Sequence, residues 1–323
     1  SLSLVGSEMC IRDRVVQVLA GAVSAGFARL ESEAEAVRTR VQFEQFFSPE
    51  VVRELELDPA LLEAQEREVT VLFSDIRRYS SMAERLGARE SYRLLQDIMD
   101  ALTEQVSEHG GVIIDYYGDG LAAMWNAPVT DVHHRISACR AGQAMLAAVP
   151  AFNATWAERI GETIEIGVGV NTGPAQVGNA GSRKVFKYGP LGHTVNLASR
   201  VEGATRHFGV PMIITSAVCR DLPTDLATRR LARVRAVGMT DPVDVLECVA
   251  PPTDAWRDLQ SGYESALAAC EAGNIEEGAR IANALAKSGA GRDDVALAAL
   301  VKRIEAAAAA NDGWPDVWDM KSK

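Results

Sequence analysis

Two aspartates carry the clearest chemical promise in this chain. Asp75 closes an apolar, β-branched run, Val69-Thr70-Val71-Leu72-Phe73-Ser74, and is followed by Ile76 and Arg77. Asp119 stands in a turn, Tyr117-Gly118-Asp119-Gly120, between two further strand-like runs, Gly111 to Tyr117 and Leu121 to Trp125. Either acid alone reads more readily as a turn or helix-capping residue than as a ligand. As a pair at the ends of neighbouring strands they can share divalent ions, since magnesium is usually held by one or two carboxylates plus substrate phosphates. Downstream lies a glycine-rich stretch, from Gly167-Val168-Gly169 through Gly173, Gly178 and Gly181 to Lys187-Tyr188-Gly189-Pro190-Leu191-Gly192. It leads into His193-Thr194-Val195-Asn196-Leu197-Ala198-Ser199-Arg200, where Asn196 and Arg200 are spaced i, i+4, so that on a helix they project from one face and could reach one ligand together. The blander readings are loop punctuation for the glycines and a surface ion pair for Arg200.

Strands and covering helices must hold these residues in place. From Glu68 to about Val249 the runs VTVLF, GVIIDYY, LAAMW, IEIGVGV and PMIIT read as strands, and 88–108, 131–159 and 193–208 read as helices. This alternation, with a hairpin-like turn at Gly118-Asp119-Gly120, predicts an α/β sandwich with one covered sheet face. Ahead of it, Val16, Leu19, Val23, Phe27, Leu30, Ala34, Val37 and Val41 alternate steps of three and four. That spacing describes a dimerising coiled-coil seam or an amphipathic helix packed on its own domain. Ser48-Pro49-Glu50 reads as a helix start and Asp58-Pro59 as a break. After Pro251-Pro252 the chain turns alanine-rich and helical over 256–272, 275–287 and 293–310. The first two helices resemble one tetratricopeptide-type unit, which cannot bury its own face and is expected to dock on the α/β domain or on a partner chain. Residues 1–14 fit no periodic pattern and resemble translated adapter sequence. The expected organisation is therefore 1–14 non-native, 15–67 signalling helix and linker, 68–250 α/β domain, and 251–323 helical extension.

Composition narrows the function classes. A chain of 323 residues that is 47% hydrophobic can bury a core, and its net charge of -11 disfavours a nucleic-acid-binding surface. A polyanionic substrate would then need locally concentrated cation or metal. The five cysteines are widely spaced, with no C-x-x-C pair, which is consistent with reducing cytosol and a cytoplasmic location. No run approaches the roughly 18 uninterrupted apolar residues of a membrane span, so no membrane partner is expected.

The motif order F-x-D-I, G-G-(x)6-G-D-G, G-x-N-T-G and K-Y-G-P-L-G-x-T-V-N-L-A-S-R resembles the class III adenylate and guanylate cyclase family over about Glu68 to Val249. The resemblance implies a ferredoxin-like βαββαβ core of α/β (α+β sandwich) class, working as a homodimer with active sites between subunits. It implies that a purine nucleoside triphosphate is closed into a 3′,5′-cyclic monophosphate, with pyrophosphate released, in intracellular signalling. By position, Asp75, Asp119 and the Ile76 carbonyl resemble the ligands of two Mg²⁺ or Mn²⁺ ions per site. Asn196 resembles the ribose-orienting residue, and Arg200 the residue meeting charge on the α-phosphate. The segment before Ser48 resembles the last helix of an upstream sensor domain.

The chain departs from the pattern at the base. Asp115 stands where adenylate cyclases carry an adenine-reading lysine, and Gly189 where the partner acid or threonine stands. An acid at the first place resembles guanylate cyclases. An ionised Asp115 offers acceptors only, so relaxed selectivity between ATP and GTP is the expectation. The family's triphosphate lysine is also missing, with Val237 and Met239 in its region, and Lys184, Lys187 or Arg183 are candidate substitutes. The alternatives are a catalytically inactive cyclase-like module for dimerisation or nucleotide sensing, a diguanylate cyclase, which would need a G-G-D/E-E-F hairpin, and an adaptor acting through its C-terminal helices.

Overall fold

The computed structural model describes residues 56–181, 187–220, 222–310 and 313–320, with positions 29, 52 and 53. The heptad positions from Val16 to Val41, the Ser48 helix start, and Arg183 and Lys184 lie outside the described residues. The chain divides into two units at Glu56/Leu57, and the architecture that follows is that of Leu57–Lys323.

The central strand is β1 (Gln65–Ile76), whose stretch Val69–Leu72 is buried on both faces. Burial on both sides is why this segment reads as a continuous β-branched run and not as an alternating one. It is flanked, antiparallel, by β3 (Gly120–Trp125) and β4 (Ile166–Asn179), and β2 (Val112–Tyr117) forms a hairpin with β3. With β6 (Met212–Thr215), β7 (Ala227–Arg235), β8 (Val243–Val249) and β9 (Trp318–Asp319) the sheet order is β2-β3-β1-β4-β6-β8-β7-β9, and β5 (Tyr188–Leu191) pairs with β4. The sheet is mixed, since β4–β6 and β7–β9 are parallel.

Helices α1 (Tyr79–Leu86), α2 (Ala88–Glu108) and α3 (His134–Ile160) build one core with the sheet around Leu72, Ile76, Leu94, Ile98, Trp125 and Met145. Helix α4 (His193–Phe208) builds a second core with α5 (Asp254–Glu271), α6 (Ile275–Lys287) and α7 (Val295–Ala310), around Phe208, Leu231, Tyr263, Leu297 and Leu300. The period-two geometry of a strand separates the two cores: Met212 and Ile214 join the first, Ile213 the second. The described residues thus hold nine strands and seven α-helices in a βαββαβ-based α/β fold, as the sequence implied. None of these helices is long and apolar enough to cross a membrane.

The two central strands run further than their apolar runs. Gln65 pairs with Val177, and β4 continues through Gly173-Pro174 to Asn179 because β1 offers a partner along that whole length. The sequence reading also has no strands at β7 and β8, where charged residues hide the pattern. Arg229 of β7 is fully buried, held by Glu247 of β8 and by Asp294 at 2.9 Å, and its guanidinium lies 4.9 Å from the ring centre of Tyr263. Tyr263 in turn donates to the Leu231 carbonyl at 2.9 Å, so the C-terminal helices are fastened to the β7 end of the sheet by polar as well as apolar contacts.

Candidate active site

The site is built where β1 ends against the β2–β3 hairpin. Asp75 lies opposite Gly120 of β3 and Gly167 of β4, and the Ile76 N–H donates to the Asp119 carbonyl at 3.3 Å. That backbone bond joins the two acid-bearing strand ends. Gly120 is required here, because a Cβ would stand 2.5 Å from the Tyr117 ring and 2.7 Å from the Ser74 carbonyl. With that space open, the Tyr117 hydroxyl reaches the carbonyls of Ser74 and Leu121 at 3.1 and 3.0 Å, closing the turn over the end of β1. Immediately after Ile76 the chain turns sharply, with Arg78 in the left-handed region (φ 58°) before α1.

Asp75, Ile76, Arg78, Ser80, Asp119 and Arg206 are among the residues lining a cleft of about 550 Å³. A neighbouring hollow of about 570 Å³ is lined mainly by apolar groups such as Leu146, Val149, Pro150 and Val210, and lacks this pair of acids. The cleft lining mixes two acids, Asp75 and Asp119, with three arginines, Arg77, Arg78 and Arg206. Burial pushes the Tyr117 hydroxyl far above its ordinary pKa, and the charges of Glu202, Asp75 and Asp119 add to the effect. Burial likewise raises Tyr79, again with a contribution from Asp119. Arg77, whose guanidinium donates to the Val210 carbonyl at 3.1 Å, is lowered by burial and by the nearby charge of Arg206, against the pull of Glu202, Glu165 and Asp75.

The donor set fits hard divalent cations. It offers two carboxylates at one open cleft, with Ile76 of the strand end also in the lining. No group of three or more His, Cys, Asp or Glu side chains placed to hold a metal ion occurs among the described residues. Two acids supplemented by substrate oxygens is the arrangement magnesium usually takes.

The other predicted residues fall elsewhere. Asn196 and Arg200 lie on α4, the first exposed and the second half-buried, and neither lines the cleft of their own chain. Asp115 on β2 meets Lys187, with Nζ 2.5 Å from Oδ2, while Oδ1 accepts from the Tyr116 N–H at 3.0 Å. Lys187 therefore spends one of its three N–H donors on Asp115 and is not among the cleft-lining residues with Asp75 and Asp119. Gly189 lies close to β2, since a Cβ there would stand 3.0 Å from the Ile114 methyl. The residue sequence reasoning missed is Arg206, in the last turn of α4, whose guanidinium bonds the Asp75 carboxylate inside the cleft. Nothing in the sequence signals it, because its meeting with Asp75 spans 131 positions.

Comparison with known proteins identifies the family. The family described as adenylate and guanylate cyclase catalytic domain matches residues 62–232, more than half of the chain. The chain is 35% identical over 188 residues to adenylate cyclase 1 of Rhizobium meliloti, covering 58% of this chain and 28% of that protein. It is 28% identical over 244 residues to an adenylate cyclase of Anabaena cylindrica, covering 73% and 47%. It thus spans less than half the length of these two relatives. Among solved structures it resembles the adenylyl cyclase CyaB from P. aeruginosa (26% identity, TM-score 0.52, 60% of this chain and 99% of the other). It also resembles the guanylyl cyclase Cya2 (28%, TM-score 0.51, 59% and 96%). The chain belongs to the adenylate and guanylate cyclase family of enzymes, and that membership implies a nucleotide substrate and a divalent metal requirement.

Proposed function

We propose that this chain converts a purine nucleoside triphosphate into its 3′,5′-cyclic monophosphate and pyrophosphate at sites shared between two copies of the chain. The observation that carries the reading is the division of labour within one subunit. Asp75, Asp119 and the end of β1 share a cleft, while Asn196 and Arg200 stand outside it on α4. A second copy would bring its Asn196 and Arg200 to the acids of the first.

In this reading Asp75, Asp119 and the Ile76 carbonyl hold two Mg²⁺ or Mn²⁺ ions. When bound, the ions would acidify the 3′-hydroxyl and neutralise the departing pyrophosphate. Asn196 orients the ribose so that the 3′-oxygen faces the α-phosphorus, and Arg200 meets the charge that develops there as the new P–O bond forms and the bond to the β-phosphate breaks. The hydroxyl proton leaves to solvent. At the base, the Lys187–Asp115 pair offers one donor and one acceptor, which suits adenine's N1 and its amine, and two relatives carry the name adenylate cyclase. ATP is the favoured substrate on these grounds, in place of the relaxed selectivity expected from Asp115 alone.

Incubating the purified chain with ATP, GTP, CTP and UTP plus Mg²⁺ or Mn²⁺, and identifying products by mass, tests the activity. Mixing Asp75→Ala with Arg200→Ala tests the shared site, since one of two interfacial sites regains a full set. Failure to complement despite demonstrated subunit exchange argues for sites held within one chain.

A further inference from the structure

Arg183 and Lys184, two of the candidate cations for the substrate's polyphosphate, lie outside the described residues, and among the described ones the geometry points to a further candidate. Lys187 is bonded to Asp115, and Val237 and Met239 offer no charge. Of the arginines lining the cleft, Arg77 is partly buried and spends a guanidinium N–H on the Val210 carbonyl, and Arg78 is paired with Glu162 at 3.7 Å. Arg206 differs from both. It comes from the last turn of α4, its side chain is 49% exposed, and its Nη2 is bonded to the Asp75 carboxylate, which is only 17% exposed.

We propose that Arg206 is an exchangeable cation: it holds Asp75 while the metal is absent, yields the carboxylate to a divalent ion, and then takes oxygens of the bound triphosphate. This rests on the reading of Asp75 and Asp119 as metal ligands. The physical argument has two parts. First, a carboxylate oxygen that bonds a guanidinium cannot offer the same lone pairs to a metal, so the two cations compete for Asp75. Second, a divalent ion at Asp75 repels the guanidinium, and a long, half-exposed side chain answers by turning toward the nearest anion. The triphosphate entering the same cleft is that anion, and the planar guanidinium fork matches phosphate oxygens in a bidentate way that a lysine would not.

The competition predicts effects of opposite sign from one substitution. In the full chain carrying Arg206→Gln, Mn²⁺ binding measured by titration calorimetry without nucleotide is expected to tighten by about fivefold, the size of a partly exposed charge pair. Binding of inorganic triphosphate in saturating Mn²⁺ is expected to weaken by about tenfold or more, the loss of a charge-assisted contact. Arg206→Lys, which keeps charge but not the fork, should fall between the two for triphosphate. A residue that merely supports the fold would move both affinities in the same direction. Equal or parallel changes in Arg206→Gln overturn the proposal. Asp119→Asn serves to separate the two readings, because it should weaken Mn²⁺ binding whatever Arg206 does. Unchanged Mn²⁺ binding there removes the metal assignment and this inference with it, whereas weakened binding beside an unaffected Arg206→Gln removes the inference alone.

Discussion

Removing the Lys187 amine should change which base the enzyme selects. In the free chain the Lys187–Asp115 contact is 42% and 47% exposed, and a pair so placed contributes no more than about 1 kcal/mol to stability. Lys187→Ala should therefore fold normally. Its effect appears when a base covers the pair and excludes water. Adenine offers an acceptor at N1 and a donor at its amine, and the intact pair satisfies both. Guanine can meet the pair through its carbonyl and ring N–H only by leaving its 2-amine without a partner, which costs about 1–3 kcal/mol if buried. Without Lys187, ATP loses one charge-assisted bond of about 1.5–3 kcal/mol, and guanine's two donors find both oxygens of Asp115. Because about 1.4 kcal/mol is tenfold, the ratio of kcat/KM for ATP to that for GTP should fall by roughly 10- to 100-fold or more. The assay is competition between ATP and GTP at subsaturating concentrations, with both cyclic products counted by mass. A ratio within about twofold of the wild-type value would show that the pair does not face the base, and would refute the reasoning.

Three further outcomes follow from the geometry. Asp75→Asn and Asp119→Asn should each abolish nearly all cyclic product while the thermal unfolding transition persists, since both acids face a cleft and not a core; retained turnover in either variant would dismiss the metal assignment. Arg229→Met leaves the buried Glu247 and the nearby Asp294 without their shared cation and should cost about 3–5 kcal/mol in a urea titration. A loss under about 1 kcal/mol would mean that the arginine's own desolvation cancels its two ion pairs. Burial raises the Cys219 thiol to about 11, so at pH 8 it is almost wholly protonated. Ellman's reagent should modify it far more slowly than an exposed cysteine, and the rate should climb as pH rises toward that value.

Much of the fold and part of the site were legible in the chain itself. Val69 to Phe73 declared a buried strand because its β-branched residues face protein on both sides, and Asp75 and Asp119 stood out because polar residues end strands where the sheet meets solvent. The α2 and α4 helices were readable to the residue at 88–108 and 193–208, as each has a glycine next to its start and a period that local geometry enforces. The family resemblance was carried by motifs of this local kind. Tertiary structure alone decided what depends on residues distant in sequence. Strand β7 was hidden because its arginines look solvated, until Glu247 and Asp294 arrive from 18 and 65 positions away to neutralise Arg229. Lys187 read as a candidate for the triphosphate, until the fold brought it to Asp115, 72 positions off. Arg206 carried no signal at all, since its meeting with Asp75 spans 131 positions. Sequence periodicity records which face of an element is covered. Which charges meet is set by how elements pack, and local spacing does not encode that.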